Sequence, residues 1–248
     1  MRGTFFVSGV EIVLEIQGES WQQGEEILVS GEVKGHGKSI DLNDWSLRLI
    51  MADQRKVKKK DPKAFTLLQE LSWKDIELKE DYSFEHKFVL IKNTAISDGT
   101  HTLALQAGPA SVPYDCGLLY LSIKPWKPIE LILELFENFQ RFKLKSLKNK
   151  LKKLEAKMSA PKTTELGAVD GLDLLIERIE GGLGLHFTFN VKKLAYGPNG
   201  VEAKKAKIVL EKELIGKDLF SFGDTLNQEN ILKVFEDIIE QIKTKSMI

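Results

Sequence analysis

One cysteine, Cys116, stands in 248 residues. A lone thiol excludes an intrachain disulfide framework and a multi-cysteine metal centre, and it fits a reducing compartment. Net charge is missing too: 36 Lys and Arg balance 36 Asp and Glu. No global field therefore draws the chain to nucleic acid or to an anionic membrane, and any such attraction needs a local patch. No apolar run approaches the ~18–20 residues that span a bilayer. The opening Met1-Arg2-Gly3-Thr4-Phe5-Phe6-Val7 is too short for a signal-peptide core, and Glu11 and Glu15 interrupt the next apolar segment. Asn-x-Ser/Thr acceptors are absent. These absences make the cytoplasm the expected compartment.

What remains is an ordinary globular composition, 42% apolar and 29% charged, long enough for one large domain or two small ones. Up to about residue 126 the apolar pattern has period two. Val10–Ile16, Ile27–Val33, Trp45–Met51, Leu71–Leu78, Tyr82–Phe88, His101–Ala107 and Gly117–Ile123 read as short strands. Turn signals separate them, notably Gln22-Gln23-Gly24-Glu25 and Ser97-Asp98-Gly99-Thr100. Such a series predicts an antiparallel β-sandwich over residues 1–126. Between two of its strands lies a basic run, Arg55, Lys56, Lys58, Lys59 and Lys60 around Val57. It reads as a solvated loop or as a contact for an acidic partner.

The stretch Trp21-Gln22-Gln23-Gly24-Glu25-Glu26 followed by Leu28-Val29-Ser30-Gly31-Glu32-Val33 resembles the opening of arrestin-like domains. There an aromatic residue and a Gly-Glu turn lead into a strand with a small residue at its centre. His86-Lys87-Phe88-Val89-Leu90 and Ile96-Ser97-Asp98-Gly99 are similar to that family's Phe-containing strand and following turn. The resemblance covers about residues 9–123. It implies a sandwich used as a scaffold or cargo adaptor, as in arrestins, the arrestin-like retromer subunit and bacterial sporulation-control relatives. No second sandwich is evident after residue 127. No buried Asp/Arg cluster is identifiable, so a phosphate-sensing switch is not implied.

Residues 127–160 contain no Gly, and their one proline is Pro128. That proline suits a first helical turn, and acidic residues before basic ones complement the helix dipole. Leu144, Leu147, Leu151, Leu154 and Met158 are three and four apart. The stretch therefore predicts one long basic amphipathic helix, about 45 Å at ~1.5 Å per residue. Arg141, Lys145, Lys148 and Lys152 lie on its basic part. The leucines could pack on the protein's own domains, or join another copy through Leu144, Leu147, Leu151 and Leu154. The lysines could meet anionic lipid or nucleic acid. Packing within the chain ranks first, because each buried Leu contributes roughly 1.5–3 kcal/mol against on the order of 1 kcal/mol per Lys at an anionic bilayer.

Residues 161–248 predict a small α+β unit. Asp170–Glu180 fits a helix face or a strand equally. Leu183, Leu185, Phe187, Phe189 and Val191 alternate cleanly, Tyr196-Gly197-Pro198-Asn199-Gly200 is a hairpin turn, and Ala206, Ile208 and Leu210 follow on the matching face. A helix starts at Asn227 or Thr225 and carries a stripe from Ile231 to Ile242.

Chemical motifs are few. Gly37-Lys38-Ser39 lacks the first P-loop glycine, since that position is Glu32. Gly181-Gly182-Leu183-Gly184 opens a strand rather than a helix. His36, His86, His101 and His186 have no metal-ligand spacing, and Cys116 has no catalytic signature. Glu25-Glu26, Asp41 with Asp44, and Asp224 sit at turns and caps. No cofactor is implied. The reading is a non-enzymatic cytoplasmic adaptor that binds partner proteins through its sandwich. The alternative is a peripheral membrane protein using residues 55–60 and 141–157. Nucleic acid is disfavoured because both basic stretches are poor in aromatics.

Overall fold

The computed structural model describes residues 1–36, 42–75, 82–109, 116–197, 200–223 and 225–246, and it divides the chain into two compact units, Met1–Trp126 and Lys127–Ile248. Outside the described residues lie Gly37-Lys38-Ser39, Asp41, the end of the expected strand at 76–78, Pro113, the hairpin tip Pro198-Asn199, and Asp224.

The first unit is two stacked antiparallel sheets. One has the order β1-β2-β4-β7, from Arg2–Val7, Val10–Ile16, Glu26–Lys34 and Ser83–Val89. The other is β6-β5-β8-β9, from Phe65–Ser72, Trp45–Asp53, His101–Pro109 and Gly117–Leu121. A short parallel pair, β3 (Trp21–Gln22) and β10 (Ile123–Lys124), closes one end. Alternation does the sorting: in β4 every second side chain from Ile27 to Val33 faces inward. Ile12, Leu14, Val29, Phe84 and Phe88 of one sheet share a core with Leu47, Leu49, Leu103 and Leu105 of the other.

The family-like residues have physical roles here. Gly24 takes φ +93°, and Glu25 accepts a bond from the Gln22 amide at 2.7 Å, which makes the turn. Gln23 is buried, donating to the Thr94 carbonyl at 2.5 Å and accepting from the Trp126 amide at 3.1 Å. Gly31 is the small central residue: a Cβ there would lie 2.5 Å from the Phe84 ring and 2.7 Å from the Val13 carbonyl. Asp98 accepts from the Thr100 and His101 amides, both at 2.7 Å, fixing the later turn.

Two expectations shift in this unit. The strand predicted from Leu71 instead runs from Phe65 to Ser72 and gives way to a 3₁₀ turn at Trp73–Asp75. Trp73 leaves the strand to pack edge-on to Phe84 at 4.9 Å between ring centroids. The N-terminal residues also form a strand, paired with β2 across a turn in which Ser8 and Gly9 have positive φ.

The second unit overturns the long helix. The helix α2 covers only Lys127–Asn138, following a one-turn α1 at Gln54–Val57 in the first unit. Arg141 then adopts φ +57°, and Phe142 turns back with its amide bonded to the Phe136 carbonyl at 3.3 Å. Residues 143–159 are a β-hairpin of β11 (Lys143–Lys150) and β12 (Lys153–Ser159), joined at Leu151-Lys152. The leucines mimicked helical spacing for two reasons. A bulge between Leu144 and Ser146 stretches a strand step from two residues to three, and the turn inserts Leu151. That turn needs positive φ at both residues, φ +49° and +67°, yet carries Leu-Lys rather than Asn-Gly.

Three more strands continue the sheet in the order β11-β12-β13-β14-β15: β13 is Val169–Ile179, β14 is Gly182–Gly197 and β15 is Gly200–Ile215. The ambiguous segment after Asp170 is thus a strand, with Leu172, Leu174 and Ile176 buried. The helix α3 (Gln228–Ser246) starts where Asn227 Oδ1 accepts from the Asn230 amide at 3.3 Å. The helices α2 and α3 cover one face of the sheet. Phe136, Phe187 and Phe235 meet beneath them, with Phe136 and Phe235 4.1 Å apart, and Phe142 and Phe189 extend the cluster. The thin hairpin-plus-helix unit predicted from sequence is therefore a five-stranded sheet under two helices.

Candidate functional site

The five basic residues of the first run sit on a shaped connection, not a slack loop. Asp53 caps α1 by accepting from the amides of Arg55 at 3.0 Å and Lys56 at 3.4 Å. Asp61 caps the next 3₁₀ turn, accepting from the Lys63 amide at 2.8 Å. Arg55, Lys58, Lys59 and Lys60 are exposed, and Lys56 is half-buried, 4.0 Å from Asp53.

The second basic group lies in the other unit. Arg141 precedes the hairpin, Lys145 and Lys148 lie on β11, and Lys152 is in its turn. All four are exposed, and Lys145, Lys148 and Lys152 make no ion pair among the described residues. Their neighbours are held: Lys150 bonds Glu155, Lys153 lies 2.5 Å from Glu177, and Lys157 lies 3.9 Å from Glu155. The leucine seam is dispersed. Leu144 and Leu147 are half-buried, Leu154 is 5% exposed on the helix-covered side, and Leu151 is 91% exposed at the turn. No helical face joins them.

Sequence reasoning passed over an apolar edge of the sandwich. On β6, Leu67 and Leu68 are exposed; at the end of β7, Val89 and Ile91 are exposed as well. Gln69 donates to the Val89 carbonyl at 2.6 Å and ties these two sheet edges together. Leu28, opposite Lys87 in the β4–β7 register, is a further exposed apolar residue on that side. The signal was the adjacent pair Leu67-Leu68 and the run Val89-Leu90-Ile91, of which only Leu90 is buried.

The histidines serve local contacts. His36 meets Glu11 at 2.7 Å, His101 lies 3.6 Å from Asp98, and His186 lies 3.1 Å from Glu211. His86 stands edge-on to Phe88, and burial holds its imidazole below the ordinary value. His86 and His101 lie on different sheets. Cys116 is half-buried; it accepts from Arg48 Nη2 at 3.3 Å and donates to the Pro109 carbonyl at 3.4 Å. Among the described residues no group of three His, Cys, Asp or Glu is placed to hold a metal ion. An open cleft of about 540 Å³ in the second unit is lined by Asp170, Asn190, Lys205 and Lys207. Asp170 is engaged by Lys192 at 2.7 Å. Among the described residues no helix is long and apolar enough to cross a membrane.

Two four-stranded antiparallel sheets over one core, opened by the Trp21 turn and the Gly31 strand, form the antiparallel sandwich that the arrestin-like resemblance implies. No family model matches the chain, and no curated protein does. Among solved structures, Spo0M, a sporulation control protein from Bacillus subtilis, aligns with a TM-score of 0.61 at 15% identity, covering 95% of this chain and 99% of that one. The likeness therefore runs through both units, where the sequence resemblance ended near residue 123. The native conformation of E. coli alpha-2-macroglobulin aligns at a TM-score of 0.34 and 8% identity, over 84% of this chain and 14% of that one. At that score it carries no argument. What the Spo0M likeness establishes is the fold.

Proposed function

We propose that this chain is a non-enzymatic adaptor that recruits a partner protein through the edge of its sandwich. The observation that carries the reading is the apolar edge Leu67, Leu68, Val89 and Ile91, fixed by the Gln69–Val89 bond. Such a row is costly in water and gains on contact at about 25 cal/mol per Å² of apolar area covered. An arrestin-like fold shared with a protein described as a sporulation control protein supports a regulatory role over a catalytic one. The test is quantitative capture from the source cells with wild-type chain and with the double variant Leu67→Asp and Ile91→Asp. The expected result is one stoichiometric partner that the variant loses while its melting temperature holds. Equal recovery with both proteins would overturn the adaptor role.

A second reading has its own observation. Leu151 stands 91% exposed between Lys150 and Lys152 at a hairpin tip. An apolar side chain among cations suits the headgroup layer of an anionic bilayer. Co-sedimentation with vesicles containing phosphatidylserine should fall with salt, with Leu151→Asp and with Lys148→Glu. Absence of binding at low ionic strength removes this reading. The cytoplasmic setting stays part of the proposal, and fractionation of source cells tests it.

A further inference from the structure

The outer strand β15 is sixteen residues long, and β14 pairs with it along its whole length without a register shift. Its other side has no strand partner among the described residues, and none of the backbone bonds outside the ladders starts or ends between Ala203 and Leu214. A long, straight, open edge is a template for another strand, and natural proteins blunt such edges unless they use them. Here there is no proline and no bulge between Ala203 and Leu214.

The side chains on the uncovered face of this strand follow a pattern. Lys205 and Lys207 come first, Val209 is central and 57% exposed, and Glu211 and Glu213 complete the row. We infer that β15 pairs antiparallel with β15 of a second copy of this chain, about a two-fold axis through Val209. That axis sets Lys205 opposite Glu213, Lys207 opposite Glu211 and Val209 opposite itself, each ion pair made twice by the symmetry. On the covered face Ile208 meets Leu210 and Ala206 meets Lys212. No like charges oppose one another in this register. Moving the axis to Ile208 puts Lys204 against Lys212, and moving it to Lys207 puts that lysine against itself. Moving it to Leu210 opposes no like charges but keeps only the Lys207–Glu213 pair, so the Val209 register is the one that makes both ion pairs.

Three of the four charges in this row lack an ion-pair partner among the described residues, and the fourth, Glu211, lies 3.1 Å from His186. Lys205, Lys207 and Glu213 make no ion pair among the described residues, and Lys205 stands directly opposite Lys192 within the sheet, a like-charge pair. Lys192 is held by Asp170 at 2.7 Å, and Lys205 is exposed. Pairing of residues 203–215 would satisfy the outward backbone groups at about one hydrogen bond per residue and join two five-stranded sheets into one. In place of a homodimer seam through Leu144, Leu147, Leu151 and Leu154, the fold offers a strand edge at the opposite side of the sheet.

The experiment is a charge swap read by sedimentation velocity on the full chain at low ionic strength. One variant carries Lys205→Glu and Lys207→Glu, the other Glu211→Lys and Glu213→Lys. Wild type should show a concentration-dependent dimer. Each variant alone opposes like charges at every former ion pair and should weaken it on the order of 100-fold. An equimolar mixture sets an all-acidic strand against an all-basic one and should dimerise again, which also shows that both variants fold. A wild type that stays monomeric at millimolar concentration overturns the proposal and leaves the edge to a strand of another protein. Variants that dimerise like wild type, or a mixture that stays monomeric, overturn it equally.

Discussion

The two edges of the second sheet are built to opposite ends. The β11 edge is eight residues long, bulged between Leu144 and Ser146, and lined with Lys143, Lys145, Lys148 and Lys150. A second β11 laid against it would meet cations with cations. The β15 edge is sixteen residues long and unbulged, and the row on its uncovered face is basic before Val209 and acidic after it. Both strands are rich in lysine, so composition does not separate them. Order does: a single-sign row blocks pairing with a copy, whereas a row that changes sign at its centre invites it.

The most damaging way to break the comparison is to remove what supports both edges. Phe235 is fully buried against Phe136 and Phe187, so Phe235→Ala should cost about 3–5 kcal/mol, read as a lower denaturant midpoint. Converting one edge toward the other is milder. Val209→Lys places two lysines face to face on the two-fold axis and should weaken self-association roughly tenfold. Lys148→Val on β11 should leave that association unchanged. The two edges separate again through the helix beside β14 and β15. Asn227→Ala removes the α3 cap and should cost about 1 kcal/mol, with hydrogen exchange rising first in the opening turn of α3.

The smallest effect lies outside the second sheet. Burial lowers the His86 pKa from 6.5, so the unfolded chain binds a proton more readily there. Stability from this group is fully present above the unfolded value and is lost as pH falls through the range below it. His86→Gln should flatten that part of the stability–pH curve in urea titrations.

Legibility in the sequence followed how local the cause was. Alternation was enough for β2, β4 and β14, because that signal lies within the residues concerned. The start of α2 was legible from Pro128 and Ile129 to Phe136. Its end was not, because Arg141 at positive φ and Phe142 under Phe136 are decided by packing on a sheet that comes later in the chain. The bulge in β11 and the Leu-Lys turn then carried helical spacing through a segment that is a hairpin. The basic residues were found by counting, but their division between a capped turn and a strand edge needed the fold. The sign change across Val209 is plain in the sequence. It acquires meaning only because β15 is an edge.

The dimer register can be read directly by placing a cysteine on the axis. In an antiparallel pair, directly opposed residues have Cα atoms about 4.5–5.5 Å apart, within reach of a disulfide. Val209→Cys should therefore crosslink to its own copy under mild oxidation, against the background of the wild-type chain with its lone Cys116. Lys207→Cys alone should not crosslink, and mixed with Glu211→Cys it should. Equal crosslinking of Val209→Cys and Lys207→Cys, or none by either, would contradict the pairing of β15 with itself.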